Sequence, residues 1–392
     1  MERVAGRAGK AGVIMLLLGV MQAGPLRAED FVDRRFFATE GDSSSIFLRN
    51  ISTLKVKNTI INAYTQNGKR NYSVTGSATT GNEDRFSYDI AEKDQGVGFL
   101  LPLGGAAFGA DAVNTYRDLS VRSNRFDFSM AESFVEKSYR GHFMVDLTPA
   151  TSASFSYRIL RVQNEVAGNI FIGDDDRTQI KGTLTGYMVS FYMRESTWGL
   201  GMYHEPSLRG KSDIEGEQKI LTTRGTTGLN FMYRLNQKMN LAFDVTRWYY
   251  KPDDRRTLST SPVQGSSMSL HGVDFEQFLY DDQRLAVGLD VGWRKGVTLR
   301  GTLFRQSGAF IFEEDKVPGD DINETAYTWD GMRAGAVYNS GLFFAEAGLT
   351  KATREVARVQ DTNPSGAWLN HRTWTGYNAD IQYLFFGVGF SQ

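Results

Sequence analysis

The sequence is organised as pairs of twofold-alternating segments, each pair joined by a tight turn and separated from the next by a long polar stretch. Side chains on a strand point alternately to opposite faces, so this pattern reads as strands with one apolar face. Leu229, Phe231, Tyr233 and Leu235 alternate with Gly228, Asn230, Met232 and Arg234. After Asn236-Gln237-Lys238, Met239, Leu241, Phe243 and Val245 alternate with Asn240, Ala242, Asp244 and Thr246. The same rhythm pairs residues 96–101 with 106–114, 139–147 with 151–160, and 183–193 with 197–204. It continues in 227–235 with 239–249, 285–293 with 297–306, and 331–338 with 341–350. The turns, such as Leu103-Gly104-Gly105, Arg294-Lys295-Gly296 and Asn339-Ser340, are short and rich in Gly, Asn or charge.

Six hairpins, an opening strand over 54–65 and a closing strand over 380–390 make fourteen strands. Stretches dense in charge, Gly, Ser and Thr separate the hairpins, as at 251–282, 307–330 and 351–378. Short turns alternating with long loops are the layout of an outer-membrane barrel, and an even strand number puts both chain ends on the short-turn side. The expected fold is therefore all-β, a closed antiparallel transmembrane barrel of about 14 strands. Closure has a physical cause. An unpaired N–H or C=O in hydrocarbon costs several kcal/mol, so a sheet spanning a bilayer must leave no edge. The apolar faces would meet lipid, while Asp146, Arg158, Arg234, Asp244, Asp290, Arg300, Arg333 and Glu346 would point inward. A soluble β-sandwich or solenoid is the alternative, and it does not explain charges on one face of every hairpin with a continuous apolar face on the other.

The first residues read as a secretory signal. Arg3, Arg7 and Lys10 precede the apolar run from Ala11 to Met21, and Leu26-Arg27-Ala28 offers a cleavage point before Glu29. That run is shorter than the roughly 20 residues a spanning helix needs. Cleavage would remove four basic residues and Glu2, leaving a net charge near −4, so nucleic acid is not an expected partner. No cysteine occurs, which excludes disulfides, thiol catalysis and Cys–zinc sites. Beyond the signal the longest apolar run is 383–390, so a helical inner-membrane protein is not expected. The four histidines, His142, His204, His271 and His371, show no metal-ligand spacing, and no G-x-S-x-G elbow is present. His142 falls on the polar side of its strand. An enzyme is not expected, and no cofactor is implied. The aromatic closing strand up to Phe390 resembles the terminal strand that barrel insertion machinery reads, although Ser391-Gln392 follow it.

Three stretches resemble the FadL-type family of outer-membrane transporters for long-chain fatty acids and other hydrophobic compounds, which includes the TodX-like channels. Asp42-Ser43-Ser44-Ser45-Ile46-Phe47-Leu48-Arg49-Asn50-Ile51-Ser52-Thr53-Leu54 is similar to the family's N-terminal D-A-S-T-I-F-x-N-P-A-x-L element. Thr197-Trp198-Gly199-Leu200-Gly201-Met202-Tyr203 followed by Glu205-Pro206-Ser207 resembles its w-x-l-G-x-x-Y-x-S-P hairpin. The segment from Gly228 to Tyr249, with Asp244 and Trp248, resembles its l-D-x-x-x-x-x-W strand. Two departures stand out. Ile51-Ser52 replace Pro-Ala after Asn50, and residues 29–41 are shorter than the usual hatch.

The resemblance implies residues 1–28 as signal peptide, 29–52 as a short N-terminal plug and 53–392 as barrel. It implies passive uptake of hydrophobic small molecules, captured among the loops, held in a pocket beside the plug and released sideways into outer-membrane lipids near the third strand. Phe31, Phe36, Phe37 and Phe47 are then the aromatics placed to line the pocket, with Arg34, Arg35 or Arg49 available to a carboxylate head and Asn50 beside them. The other reading is that these residues pack the plug against the wall. Gly105 and Gly109 border a small-residue strand that suits a lateral opening, or simply close packing on the plug. A general porin or a surface-binding barrel remains the alternative function, because it needs only the polar lumen and the loops.

Overall fold

The computed structural model describes residues 50–54, 56–77, 83–123, 129–171, 174–214, 217–223, 225–249, 258–259, 277–313, 323–340, 342–356, 359–360, 373–374 and 377–391. A 3₁₀ turn, Ile51–Thr53, precedes nineteen strand segments. These are β1 (Ile60–Ser77), β2 (Glu83–Leu103), β3 (Ala106–Ser123), β4 (Ser129–Thr148), β5 (Thr151–Phe171), β6 (Asp174–Arg194) and β7 (Trp198–Glu205). Then come β8 (Arg209–Ile214), β9 (Glu217–Thr222), β10 (Gly225–Asn236), β11 (Met239–Tyr249), β12 (Leu258–Ser259) and β13 (Gln277–Arg294). The last are β14 (Val297–Glu313), β15 (Asn323–Asn339), β16 (Phe343–Val356), β17 (Val359–Gln360), β18 (Thr373–Trp374) and β19 (Tyr377–Ser391).

The wall has fourteen staves. β7 and β8 lie in line as the seventh, β9 and β10 as the eighth, and the two-residue segments β12, β17 and β18 add to the rim of the long-loop end. Neighbouring staves run antiparallel in chain order. The ring closes where β1 pairs with β19, from Ile60 opposite Ser391 to Asn71 opposite Asp380. No described helix is long and apolar enough to cross a membrane. Tight turns close the lower end, with Gly104 and Gly296 at φ +64° and +78°, a region glycine enters without steric cost.

Alternation sorts the side chains as expected. Phe99, Phe143, Tyr157, Leu229, Phe243, Val287 and Phe386 are exposed outward, and Leu303 is 65% exposed. Their inward neighbours are mostly buried, polar ones such as Ser156, Arg158 and Asp244 standing beside apolar ones such as Leu100, Met144, Ala242 and Phe385. The band ends at an outward ring of polar residues, among them Lys93, Lys137, Arg247, Arg305 and Lys351. That gives about eight to eleven residues per stave between the polar ring and the short turns, about the height of an outer-membrane hydrocarbon layer once the strands tilt.

Two expectations need correction. The opening strand begins at Ile60, because residues 51–54 turn inside the barrel. Asp146 and Arg234 keep the inward register of their strands, opposite Ser152 and Asn240, and lie exposed at the short-turn rim just before the register shifts at 146/148 and 234/236. Much of each long loop is strand: β14 runs on to Glu313 and β15 starts at Asn323, inside the segment expected to be a loop. Above the apolar band the backbone ladder continues with no apolar alternation to reveal it.

The wall is interrupted at one level. β6 pairs with β7 over residues 189–194 and with β8 over 180–185, leaving Gly186, Tyr187 and Met188 opposite Glu205, Pro206, Ser207 and Leu208. One stave carries an extra residue there, which is a bulge, and Pro206 has no N–H to give to the ladder. The remaining register shifts among the described residues lie at hairpin ends.

Candidate functional site

The lower lumen is closed by residues 50–54. Ile51 and Leu54 pack with Ile60, Tyr64, Leu100 and Val113 of β1, β2 and β3. Asn50 reaches the opposite wall. Its amide nitrogen lies 3.3 Å from the Phe191 carbonyl, 3.4 Å from that of Met202 and 3.2 Å from Asn230 Oδ1, and its Oδ1 accepts from the Ser52 hydroxyl. Gly201 makes room for this, since a Cβ there would sit 2.5 Å from the Asn50 nitrogen. Arg194 donates to the Thr53 carbonyl at 3.0 Å. The segment is thus pinned at both ends across the barrel.

Paired charges line the lumen around it. Asn230 donates to Asp244, which also accepts from Thr246 at 2.8 Å and faces Arg284 at 3.7 Å. Arg158 pairs with Glu205 at 3.2 Å and Glu136 at 3.5 Å, and Arg300 bridges Asp290 at 3.2 Å and Glu346 at 3.8 Å. Buried ions are tolerated only when so compensated. One cluster has the order of an acyl-transfer triad: Asp111 Oδ2 lies 2.6 Å from His142 Nε2, and His142 Nδ1 lies 2.7 Å from Ser156 Oγ. Ser156 is only 1% exposed, and its backbone is paired on both sides by β4 and β6, so the ladder leaves no neighbouring N–H for an oxyanion. Arg140 also grips Asp111 at 3.0–3.1 Å. These features suit a satisfied lumen network. Among the described residues no group of three His, Asp or Glu side chains is placed to hold a metal.

Higher in the lumen the lining turns apolar beside the wall interruption. Phe134, Leu160, Val162, Leu184 and Leu208 form one buried cluster on β4, β5, β6 and the segment before β8. Leu208 is tied by its backbone to Thr223, donating to Thr223 Oγ1 at 2.8 Å and accepting from the Thr223 N–H at 2.9 Å. Its side chain lies over Gly186, where a Cβ would come within 2.4 Å of Leu208 Cδ2. Leucine therefore fills the place where the ladder is missing. The Ser207 hydroxyl, one residue away, has no hydrogen-bond partner among the described residues.

Of the residues expected to bind ligand, Phe31, Arg34, Arg35, Phe36, Phe37, Phe47 and Arg49 lie outside the described residues. Asn50 sits in the lumen, where it contacts the wall. Gly105 lies exposed in the turn between β2 and β3. Gly109 is paired in register with Leu100 and His142, and a Cβ there would meet the Phe99 carbonyl at 2.0 Å, so the glycine serves a close approach of β2 and β3. Leu208, Gly186 and the apolar cluster were not anticipated. Pro206 inside an otherwise alternating stave was the available signal.

No protein-family model matches the chain, and no curated protein matches its sequence. Solved structures do match. A FadL homologue from Pseudomonas aeruginosa superposes with a TM-score of 0.58 at 12% identity, over 85% of this chain and 90% of that one. The chain shares its fold with FadL homologues. The Pseudomonas putida toluene transporter TodX matches at 0.55 and 10% identity, over 91% of this chain and 95% of that one. The Ralstonia pickettii toluene transporter TbuX matches at 0.52 and 9%, over 87% and 92%. The fold expected from the three sequence motifs is therefore the one found, a fourteen-stave barrel of the FadL and TodX kind.

Proposed function

We propose that this chain is a bacterial outer-membrane channel for passive uptake of hydrophobic compounds, long-chain fatty acids or aromatic hydrocarbons. The compounds enter from the long-loop end, lodge in the apolar upper lumen and leave sideways into the bilayer. The observation that carries this reading is the position of the Phe134–Leu160–Val162–Leu184–Leu208 cluster. It abuts the wall interruption and stands above a lower end closed by residues 50–54 and paired charges. A hydrocarbon chain gains about 0.8 kcal/mol per buried CH₂, so it is favoured in that cluster and disfavoured among the paired charges beneath. Release through the wall avoids those charges altogether.

The place of release follows from the ladder. Opening at Gly105 and Gly109 would part paired backbone groups of β2, β3 and β4 inside hydrocarbon, at a cost of several kcal/mol each. At Gly186–Leu208 the ladder is already interrupted, and only the Leu208 side chain must swing aside. We therefore assign the exit there. The plug aromatics Phe31, Phe36, Phe37 and Phe47 and the cations Arg34, Arg35 and Arg49 are proposed to close the chamber from below and to meet a carboxylate head. The likeness in fold to the toluene transporters supports the substrate class.

Leu208→Ala is expected to speed uptake of labelled toluene or oleate by cells carrying the chain, and Leu208→Trp to slow it. Ionic conductance in planar bilayers should stay at the wild-type level for both, because the lumen charges are intact. A matching rise in conductance, or no change in uptake from either variant, would contradict an exit at this point.

A further inference from the structure

We infer that the outward face of β4, β5, β6 and β8 binds the phosphate-bearing headgroup of a lipid in the leaflet on the long-loop side. Register places Lys137, Arg161, Thr183 and Lys211 in one cross-strand row. All four are exposed and point outward. Adjacent strands are about 4.8 Å apart, so Lys137 and Arg161 stand as direct neighbours and Lys211 lies about 14 Å from Lys137. Like charges directly opposite on a sheet repel and destabilise it. Among the described residues no carboxylate forms an ion pair with Lys137, Arg161 or Lys211. The acidic side chains nearest in register are one row or more higher: Asp213 opposite Lys181, and Glu165 opposite Ser133.

The contrast with the far side of the barrel sharpens the point. At the same boundary of the apolar band, Arg305 on β14 is paired with Asp330 on β15 at 2.7 Å. There the chain neutralises its own outward cation. On β4–β8 it leaves a row of them, which an external anion would complete.

The surroundings select a lipid over a free anion. Directly below the cationic row come Tyr139 and Ile159, with the Arg161 guanidinium 5.8 Å from the Tyr139 ring centre. Below these, Tyr157 opposes Tyr187, and Phe155 stacks on Tyr187 at 6.1 Å. A phosphate on the cations thus continues into acyl chains on the aromatic band, and two nearby cations are the geometry that holds a phosphate's oxygens. The site lies outside the lumen, beside the wall interruption that includes Tyr187, and depends only on the barrel's orientation in a bilayer.

The test uses the full chain in a neutral detergent, with retained lipid measured by native mass spectrometry and unfolding followed by heating. Diphosphorylated lipid A, its dephosphorylated form and inorganic phosphate are the three probes. Wild type should retain diphosphorylated lipid A and unfold at a higher temperature with it, while the other two probes do neither. The double variant Lys137→Gln/Arg161→Gln should bind the phosphorylated lipid about tenfold or more weakly, and Lys351→Gln, a lone outward lysine beside Met332 and Gln382, should bind it normally. Without lipid the double variant should match or exceed the wild type in stability, since a repulsion has been removed. If the double variant folds poorly, the charge-keeping exchange Lys137→Arg/Arg161→Lys must bind as wild type does, and wild-type retention must fall with added salt. Equal retention of the dephosphorylated lipid, salt-independent retention, or a double variant that binds like wild type would overturn the proposal. Stabilisation by inorganic phosphate equal to that by the lipid would replace the lipid with a free anion and overturn it as well.

Discussion

Asp111→Ala is expected to cost about 3–5 kcal/mol of stability, the usual effect of stranding a buried ion. Asp111 is 3% exposed and holds two partners at once, the Arg140 guanidinium through both carboxylate oxygens and His142 through Nε2. Removing the carboxylate leaves the largely buried guanidinium with only the more distant Glu205 to offset it, and His142 with Ser156 alone. Urea-induced unfolding in detergent micelles would measure it, beside Asp330→Ala as a reference. Asp330 pairs with Arg305 on the exposed face, where breaking an ion pair costs about 0–1 kcal/mol. Equal unfolding midpoints for the two variants would show that the lumen cluster is wet and weakly coupled. Ser156→Ala adds a separate reading, because it leaves the ion pairs in place and should change stability far less than Asp111→Ala.

The second large effect concerns the lower closure. Asn50→Ala removes the amide that spans to Phe191, Met202 and Asn230 and the acceptor of the Ser52 hydroxyl. Loss of two or three net hydrogen bonds is worth about 2–3 kcal/mol, or roughly a 30–150-fold rise in the population with residues 50–54 released from the wall. Planar-bilayer recordings should then show frequent conducting openings that are rare in the wild type. Arg194→Ala, which removes only the bond to the Thr53 carbonyl, should do the same to a smaller degree. Unchanged conductance in Asn50→Ala would mean that this segment does not close the lumen.

Much of the architecture is legible in the sequence because a bilayer imposes a strict code. A stave with lipid on one side and a packed lumen on the other must alternate, and 229–235, 239–245 and 285–293 do so without a break. Counting such segments gives fourteen staves, and the fold has them. The code fails where its physical cause is absent. Beyond the band β14 extends through Ser307 and Gly308 to Glu313, where Ala309-Phe310-Ile311-Phe312 is an unbroken apolar run with no twofold alternation to mark it as strand. At the short-turn rim the bulges just after Asp146 and Arg234 each add a residue that a twofold count cannot register.

The candidate site was legible in part. Asn50 stood out through the N-terminal motif, and its role as a bridge across the lumen depends on Gly201, about 150 residues away, lacking a side chain. The apolar cluster joins Phe134, Leu160, Leu184 and Leu208 from four segments, none of them unusual alone. Inward-facing leucines on polar lumen faces look like exceptions until the register brings them together. Gly109 drew notice as the border of a lateral opening or of a closely packed strand, and its missing side chain lets β2 and β3 approach.

The most direct test sets two quantities side by side for the wild-type chain: uptake of toluene or oleate by cells that carry it, and ionic conductance of the purified barrel in a planar bilayer. Uptake clearly above that of cells without the chain, together with small, infrequent conductance, is the predicted result. A large, steady aqueous conductance with no gain in uptake would contradict the account and make the barrel a general porin.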